Sequence, residues 1–132
     1  MPAVPADAAE LHRLAAEATA RAHAPHSGFR VGAVLEAEGG ARYEGANVEF
    51  GSYGLTICAE RVALVKAVTE GERRFRRLAV AESGGGPVAP CGACRQALAD
   101  FGLDLVVIYP GPDGLVERPL AELLADAFLL PG

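Results

Sequence analysis

Apolar residues recur along this chain with two different periods. Within residues 7–23, Leu11, Leu14, Ala15 and Ala18 lie three or four apart and share one face of a predicted helix that covers a sheet. Residues 29–38 and 42–47 read as two strands around Gly39-Gly40, a hairpin turn signal. Residues 48–55 follow neither period and read as irregular. Thr56 is placed to cap a helix over 58–69, with Gly71 as its stop. A strand over 75–82 and a loop over 83–87 come next, and Pro90 leads into a helix to Phe101 that Gly102 ends. Residues 103–109 form a nearly continuous apolar run, the mark of a strand buried on both faces. Residues 110–114 turn, room remains for a short strand, and Pro119 opens a last helix through 127. The order α-β-β-α-β-α-β-(β)-α predicts an α/β fold, a three-layer α/β/α sandwich with a mixed central sheet.

With 132 residues, 51% of them hydrophobic and 22% charged, the chain suits one domain, residues 1–132, around one core. Twelve basic and 17 acidic residues leave a net charge of −5, whereas long contact with a phosphate backbone requires a basic face. A nucleic-acid polymer is therefore not the expected partner. The basic cluster Arg73-Arg74-Phe75-Arg76-Arg77 follows a predicted helix, where cations complement the macrodipole. Gly84-Gly85-Gly86 lacks the Lys-Ser or Lys-Thr of a P-loop and the spacing of a dinucleotide fingerprint, and reads as a flexible connection. The start of the chain is acidic and Pro-rich, unlike a signal peptide, and no run reaches membrane-spanning length. A cytoplasmic protein with no membrane partner is expected.

Chemistry enters with three cysteines, in Cys58-Ala59-Glu60 and Pro90-Cys91-Gly92-Ala93-Cys94. An odd number of thiols in C-x-x-C spacing, in a reducing compartment, favours a metal over a disulfide. Cys91 and Cys94 are three apart at one helix start and share a face, and Cys58 starts another helix. Both helix N-termini favour thiolate over thiol. Three protein ligands are the catalytic arrangement of zinc, since a structural site normally closes its shell with four. Three thiolates on a dication leave a formal charge of −1, which weakens the metal's power to acidify water. Arg61 is either a donor to those sulfurs or a surface ion-pair partner, and spacing leaves both open. Glu60, two residues beyond a ligand, can reach the adjacent space. It is a candidate general base and then general acid, the roles needed to add water to a C=N centre and expel an amine. His12, His23 and His26 have no ligand spacing and read as polar groups.

These motifs resemble the zinc-deaminase pattern of a Cys or His before x-Glu followed by Pro-Cys-x-x-Cys. The wider chain, through Phe29-Arg30-Val31-Gly32-Ala33, Asn47-Val48-Glu49, Ser52-Tyr53-Gly54-Leu55-Thr56-Ile57 and Arg95-Gln96, is similar to the small homo-oligomeric cytidine deaminases of pyrimidine salvage. The resemblance implies a zinc cofactor and hydrolysis of cytidine or deoxycytidine to uridine or deoxyuridine and ammonia, with Glu60 as the proton carrier. It also implies that Asn47 and Glu49 bind the ribose hydroxyls, that Phe29 lies beside the base, and that the backbone of Ala59 meets the pyrimidine edge. Gly51, Tyr53 and Phe128 match residues that relatives contribute from neighbouring subunits, which implies a homo-oligomer, commonly a tetramer. Read alone, Asn47 could equally end a strand, Glu49 could be solvated, and Phe128 could be a core residue.

Two departures bear on the sugar contacts. Phe50-Gly51 stands where the family usually has Asn-Ala, and His23 and His26 stand where it has tyrosines. Two other readings remain open, a deaminase of another aminopyrimidine such as blasticidin S and a zinc-stabilised binding protein without turnover. The first would relax the ribose contacts, and the second would be indifferent to loss of Glu60.

Overall fold

The structure is a computed structural model that describes residues 3–131, so Met1, Pro2 and Gly132, the ends of the expected domain, lie outside it. The elements are α1 (Ala3–Ala18), β1 (Val31–Ala37), β2 (Arg42–Ala46), α2 (Ala59–Thr69), β3 (Phe75–Glu82), α3 (Gly92–Ala99), β4 (Val106–Gly111), β5 (Gly114–Pro119) and α4 (Leu120–Leu123). They form one five-stranded sheet in the order β2-β1-β3-β4-β5. Only the β3–β4 pair is parallel, so the sheet is mixed as expected.

Strand alternation divides the core between the two faces. Val34, Ala79, Ala81 and Ile108 pack under Ala8, Leu11 and Ala15 of α1. Ala33, Leu35, Leu78, Val80 and Val107 point the other way, against Ala63, Leu64 and Ala67 of α2, Leu98 of α3 and Leu120 of α4. Val107 and Ile108 are both fully buried, so β4 is covered on both faces, as its apolar run predicts. Each buried leucine contributes about 1.5–3 kcal/mol.

In β1, β4 and the last helix, which are shorter than expected, side chains or neighbouring backbone have captured groups that would extend them; α3, Gly92–Ala99, is also shorter than the expected span to Phe101. β1 begins at Val31 rather than residue 29, because the Asn47 amide accepts from Val31 N at 2.9 Å and donates to Phe29 O at 2.8 Å. β4 begins at Val106 rather than residue 103, because Leu105 O and Leu103 O accept from Leu120 N and Ala121 N. The last helix stops at Leu123 rather than residue 127. Leu123 O and Phe128 O accept from Arg95 Nη1 and Gln96 Nε2 at 2.8 and 2.7 Å. α1 ends at Ala18 and continues as a 3-10 turn, Thr19–Arg21.

Thr56 is not the cap of α2. It closes a 3-10 turn, Tyr53–Leu55, and its hydroxyl accepts from Phe50 N at 3.3 Å. The N-cap is Cys58, extended at φ −71° and ψ 154°. Cys91 is the N-cap of α3, and its sulfur accepts from Cys94 N at 3.5 Å.

Candidate metal and active site

The three thiols meet because both capping positions face the same space. Extended backbone at Cys58 and Cys91 turns each side chain toward its helix N-terminus, and Cys94 comes up one turn later on α3. All three Sγ atoms lie within 4.8 Å of one another, and Cys58 Sγ is 3.8 Å from Cys91 Sγ. Tetrahedral zinc with thiolates at about 2.3 Å separates its sulfurs by about 3.8 Å. The donor set is wholly soft thiolate, the chemistry that selects zinc among common divalent ions, so these residues fit a zinc ion. Cys94 is fully buried, Cys58 half-buried and Cys91 exposed, which leaves one side of the cluster approachable.

Arg61 takes up the excess negative charge. Its Nη2 lies 3.5 Å from Cys58 Sγ, while its buried Nε has no hydrogen-bond partner. Hydrogen bonds from Cys94, Arg61 and Cys91 pull the Cys58 thiol down to about 5 despite its partial burial. The same contact with Cys58, together with burial, pushes the Cys94 thiol far upward. To hold a dication the three cysteines would bind as thiolates, with their protons released.

Glu60 stands in the first turn of α2 and is only 4% exposed. Burial pushes its carboxyl up to about 7, with the Cys58 charge adding to the shift. It shares a cavity of about 210 Å³ with Cys58, Cys91, Ala59, Asn47 and Phe29. Val31, Thr56, Val88 and Ala89 complete that lining. Among these, Val88 and Ala89 gave no chemical signal in the sequence. Their only cue was position, just before Pro90 and the second pair of ligands.

The expected sugar contacts fall into two groups. Asn47 is buried at the cavity wall with its amide bonded to the backbone of Phe29 and Val31, which brings the Phe29 ring to the opening. Glu49 lies in an adjoining cavity of about 370 Å³ with His26, Ser27, Tyr53 and Thr56. Its carboxylate accepts from His26 N at 2.9 Å, from Ser27 N at 3.1 Å and from Ser27 Oγ. The Ser27 hydroxyl, with the two backbone donors, holds the Glu49 carboxyl below its ordinary range. Ser27 Oγ in turn accepts from Phe29 N at 3.0 Å, a link that sequence reading missed. Tyr53 is 74% exposed and packs edge-on against His26. Gly51 is exposed and lines neither cavity. Phe128, 71% exposed, lies against α3 in a separate depression with Arg61, Gln96 and Leu130.

Comparison with known proteins agrees with this geometry. Residues 5–110 match the family model described as the cytidine and deoxycytidylate deaminase zinc-binding region. A cytidine deaminase of Sporosarcina psychrophila is 44% identical over 90% of this chain and 91% of its own length. One from Halalkalibacterium halodurans is 44% identical over 86% of this chain and 88% of its own. The crystal structure of cytidine deaminase from Burkholderia pseudomallei superposes with a TM-score of 0.83 at 41% identity, covering 90% of this chain and 97% of that one. With a family model matched over most of its length and relatives 44% identical across nearly all of it, the chain belongs to the cytidine and deoxycytidylate deaminase zinc-binding family.

Proposed function

We propose that this protein hydrolyses cytidine and deoxycytidine to uridine and deoxyuridine with release of ammonia. The observation that carries the reading is the placement of one buried carboxyl, Glu60, in the same small cavity as Cys58 and Cys91, two of the three clustered thiols. Cys58, Cys91 and Cys94 would hold zinc, which when bound supplies the Lewis acidity that makes water a nucleophile at neutral pH. Glu60 takes the first proton from the attacking water and delivers it to N3 as the C4–O bond forms. It then carries the remaining hydroxyl proton to the exocyclic nitrogen, the C4–N bond breaks, and ammonia leaves. A carboxyl near pH 7 suits both transfers, since a shuttle is most effective when its pKa lies near the working pH. Arg61 neutralises part of the thiolate charge and is not itself placed to contact substrate.

Phe29 flanks the base and the Ala59 backbone meets the pyrimidine edge. Asn47 and Glu49 bind the ribose hydroxyls. Asn47 retains a second amide hydrogen and a second lone pair for this, beyond those bonded to the backbone. Neither cavity is lined by a lysine or arginine, and Glu49 would repel a phosphate, which supports nucleosides over nucleotides.

The active form is a homo-oligomer, a tetramer, in which neighbouring subunits bring Gly51, Tyr53 and Phe128 to complete each site. Two observations support this. A cavity of about 210 Å³ falls short of the roughly 300–1,000 Å³ that small ligands fill, and Tyr53, Leu55, Val65, Phe128 and Leu130 are large and exposed. The whole chain, residues 1–132, acts as a single zinc-binding domain in pyrimidine salvage. Three free thiols suit a reducing cytoplasm, and among the described residues no helix is long and apolar enough to cross a membrane.

The test offers the zinc-loaded protein cytidine, deoxycytidine, cytosine, deoxycytidylate and blasticidin S, and measures ammonia and the deaminated product. The two nucleosides are expected to be consumed with one ammonia each and the others far more slowly. No ammonia from either nucleoside, with zinc present, would reject the reading.

A further inference from the structure

The first turn of α2 sits directly on the backbone of β2, at Gly45. A Cβ placed on Gly45 would lie 2.3 Å from Ala59 O, 2.5 Å from Ala63 N and 3.0 Å from Ala63 Cβ. The first two atoms are spaced as partners in the helical backbone ladder, so no side-chain movement relieves the overlap. Ordinary contact distances of about 3.5 Å require the helix to lift by about 1 Å. Metal sites hold their ligands to within about 0.2 Å. Ala59 stands between Cys58 and Glu60, so a lift there moves a thiol and the carboxyl together. Cys91 and Cys94 stand at the start of α3, and the three atoms nearest that Cβ all belong to α2.

We infer that Gly45 is a positioning residue for the metal centre. By having no side chain it sets the depth of α2 on the sheet, and so the distance from Cys58 and Glu60 to the α3 thiols. This rests on the proposed zinc site, but not on the identity of the substrate. The protein also contains a matched control. Gly32, in the neighbouring strand, is equally close to a helix, with its would-be Cβ 2.1 Å from Ala15 O and 2.7 Å from Thr19 N. That helix is α1, on the opposite face, and it holds none of the three thiols.

The experiment compares Gly45→Ala and Gly32→Ala with the parent, all as zinc-loaded protein. It measures thermal stability, zinc affinity by chelator competition, the visible spectrum after cobalt replaces zinc, and kcat and KM for cytidine. Both variants are expected to lose stability. Gly45→Ala alone is expected to bind zinc at least tenfold more weakly, to shift the cobalt–thiolate bands and to lose kcat. Parent-like zinc affinity and cobalt spectrum in Gly45→Ala would overturn the inference, as would equal changes in Gly32→Ala. Failure of Gly45→Ala to fold in excess zinc would also overturn it, since the glycine would then serve the fold as a whole. Zinc affinity and cobalt spectrum involve no nucleoside, so absence of cytidine turnover in the parent would refute the proposed reaction and leave this test intact.

Discussion

Glu36 is a buried carboxylate near the end of β1, between two flanking strands, and its removal makes a quantitative test of the fold. It lies directly opposite Arg42 on β2 and Arg77 on β3, and is 3% exposed. Arg77 grips it with Nε at 2.8 Å and Nη2 at 3.0 Å, Arg42 adds a bond at 3.2 Å, and Arg76 stands at 3.9 Å. Breaking a buried pair costs about 3–5 kcal/mol, because one charge is left without a partner. Here the cost is lower. Arg42 and Arg76 are partly solvated, and Arg77 keeps Asp7 at 3.7 Å, so Glu36→Gln should destabilise by about 2–3 kcal/mol. For a chain of 132 residues that is a fall in Tm of about 6–12 °C. Burial pushes the Glu36 carboxyl upward, but Arg77, Arg42 and Arg76 outweigh it and hold the group below its usual range. The stabilisation is then fully present above the unfolded-chain pKa of about 4.3 and disappears as pH falls through the lower folded value. The gap between parent and variant, measured by calorimetry, should therefore be constant near neutrality and close in acid. Pairing Glu36→Leu with Arg77→Met should cost less than Glu36→Gln alone, since both buried charges are then gone and Arg42, Arg76 and Asp7, which lose a partner, are solvated. A loss below about 0.5 kcal/mol at neutral pH, or a gap that widens in acid, would refute the reasoning.

Two further outcomes follow from the site. Chelation of zinc should open Cys91 and Cys58 to alkylation while Cys94 stays unmodified, as its burial dictates; peptide mass mapping reads this difference, and rapid labelling of Cys94 would contradict it. Ser27→Ala removes the hydroxyl that joins Glu49 to Phe29 N, so KM for cytidine should rise several-fold with kcat nearly unchanged, and steady-state kinetics would show the split.

Much of the site was legible because its chemistry is local. The two cysteine segments each occupy a helix start, the Cys58, Cys91 and Cys94 thiols cluster, and Glu60 lines a cavity beside Cys58 and Cys91. β3 runs from Phe75 to Glu82, the span its alternation predicts. What stayed hidden depends on tertiary partners. Thr56 has the chemistry of a helix cap, yet the chain turns once more before α2 and leaves that position to Cys58. The last helix is cut short by Arg95 and Gln96, side chains nearly thirty residues upstream whose reach no local pattern records. Gly32 and Gly45 read as ordinary strand glycines until the helices that cross them are in place. Glu36 reads as a polar position in a strand, and only the register reveals that arginines oppose it on both sides.

The central claim is that Glu60 moves protons beside a zinc ion held by Cys58, Cys91 and Cys94. Glu60→Gln keeps the side chain's size and removes that capacity. Zinc content and cytidine turnover should be measured on the same preparation of this variant. The account predicts one zinc per chain, as in the parent, with kcat lower by at least about a thousandfold. Turnover within tenfold of the parent in the zinc-loaded variant would contradict it.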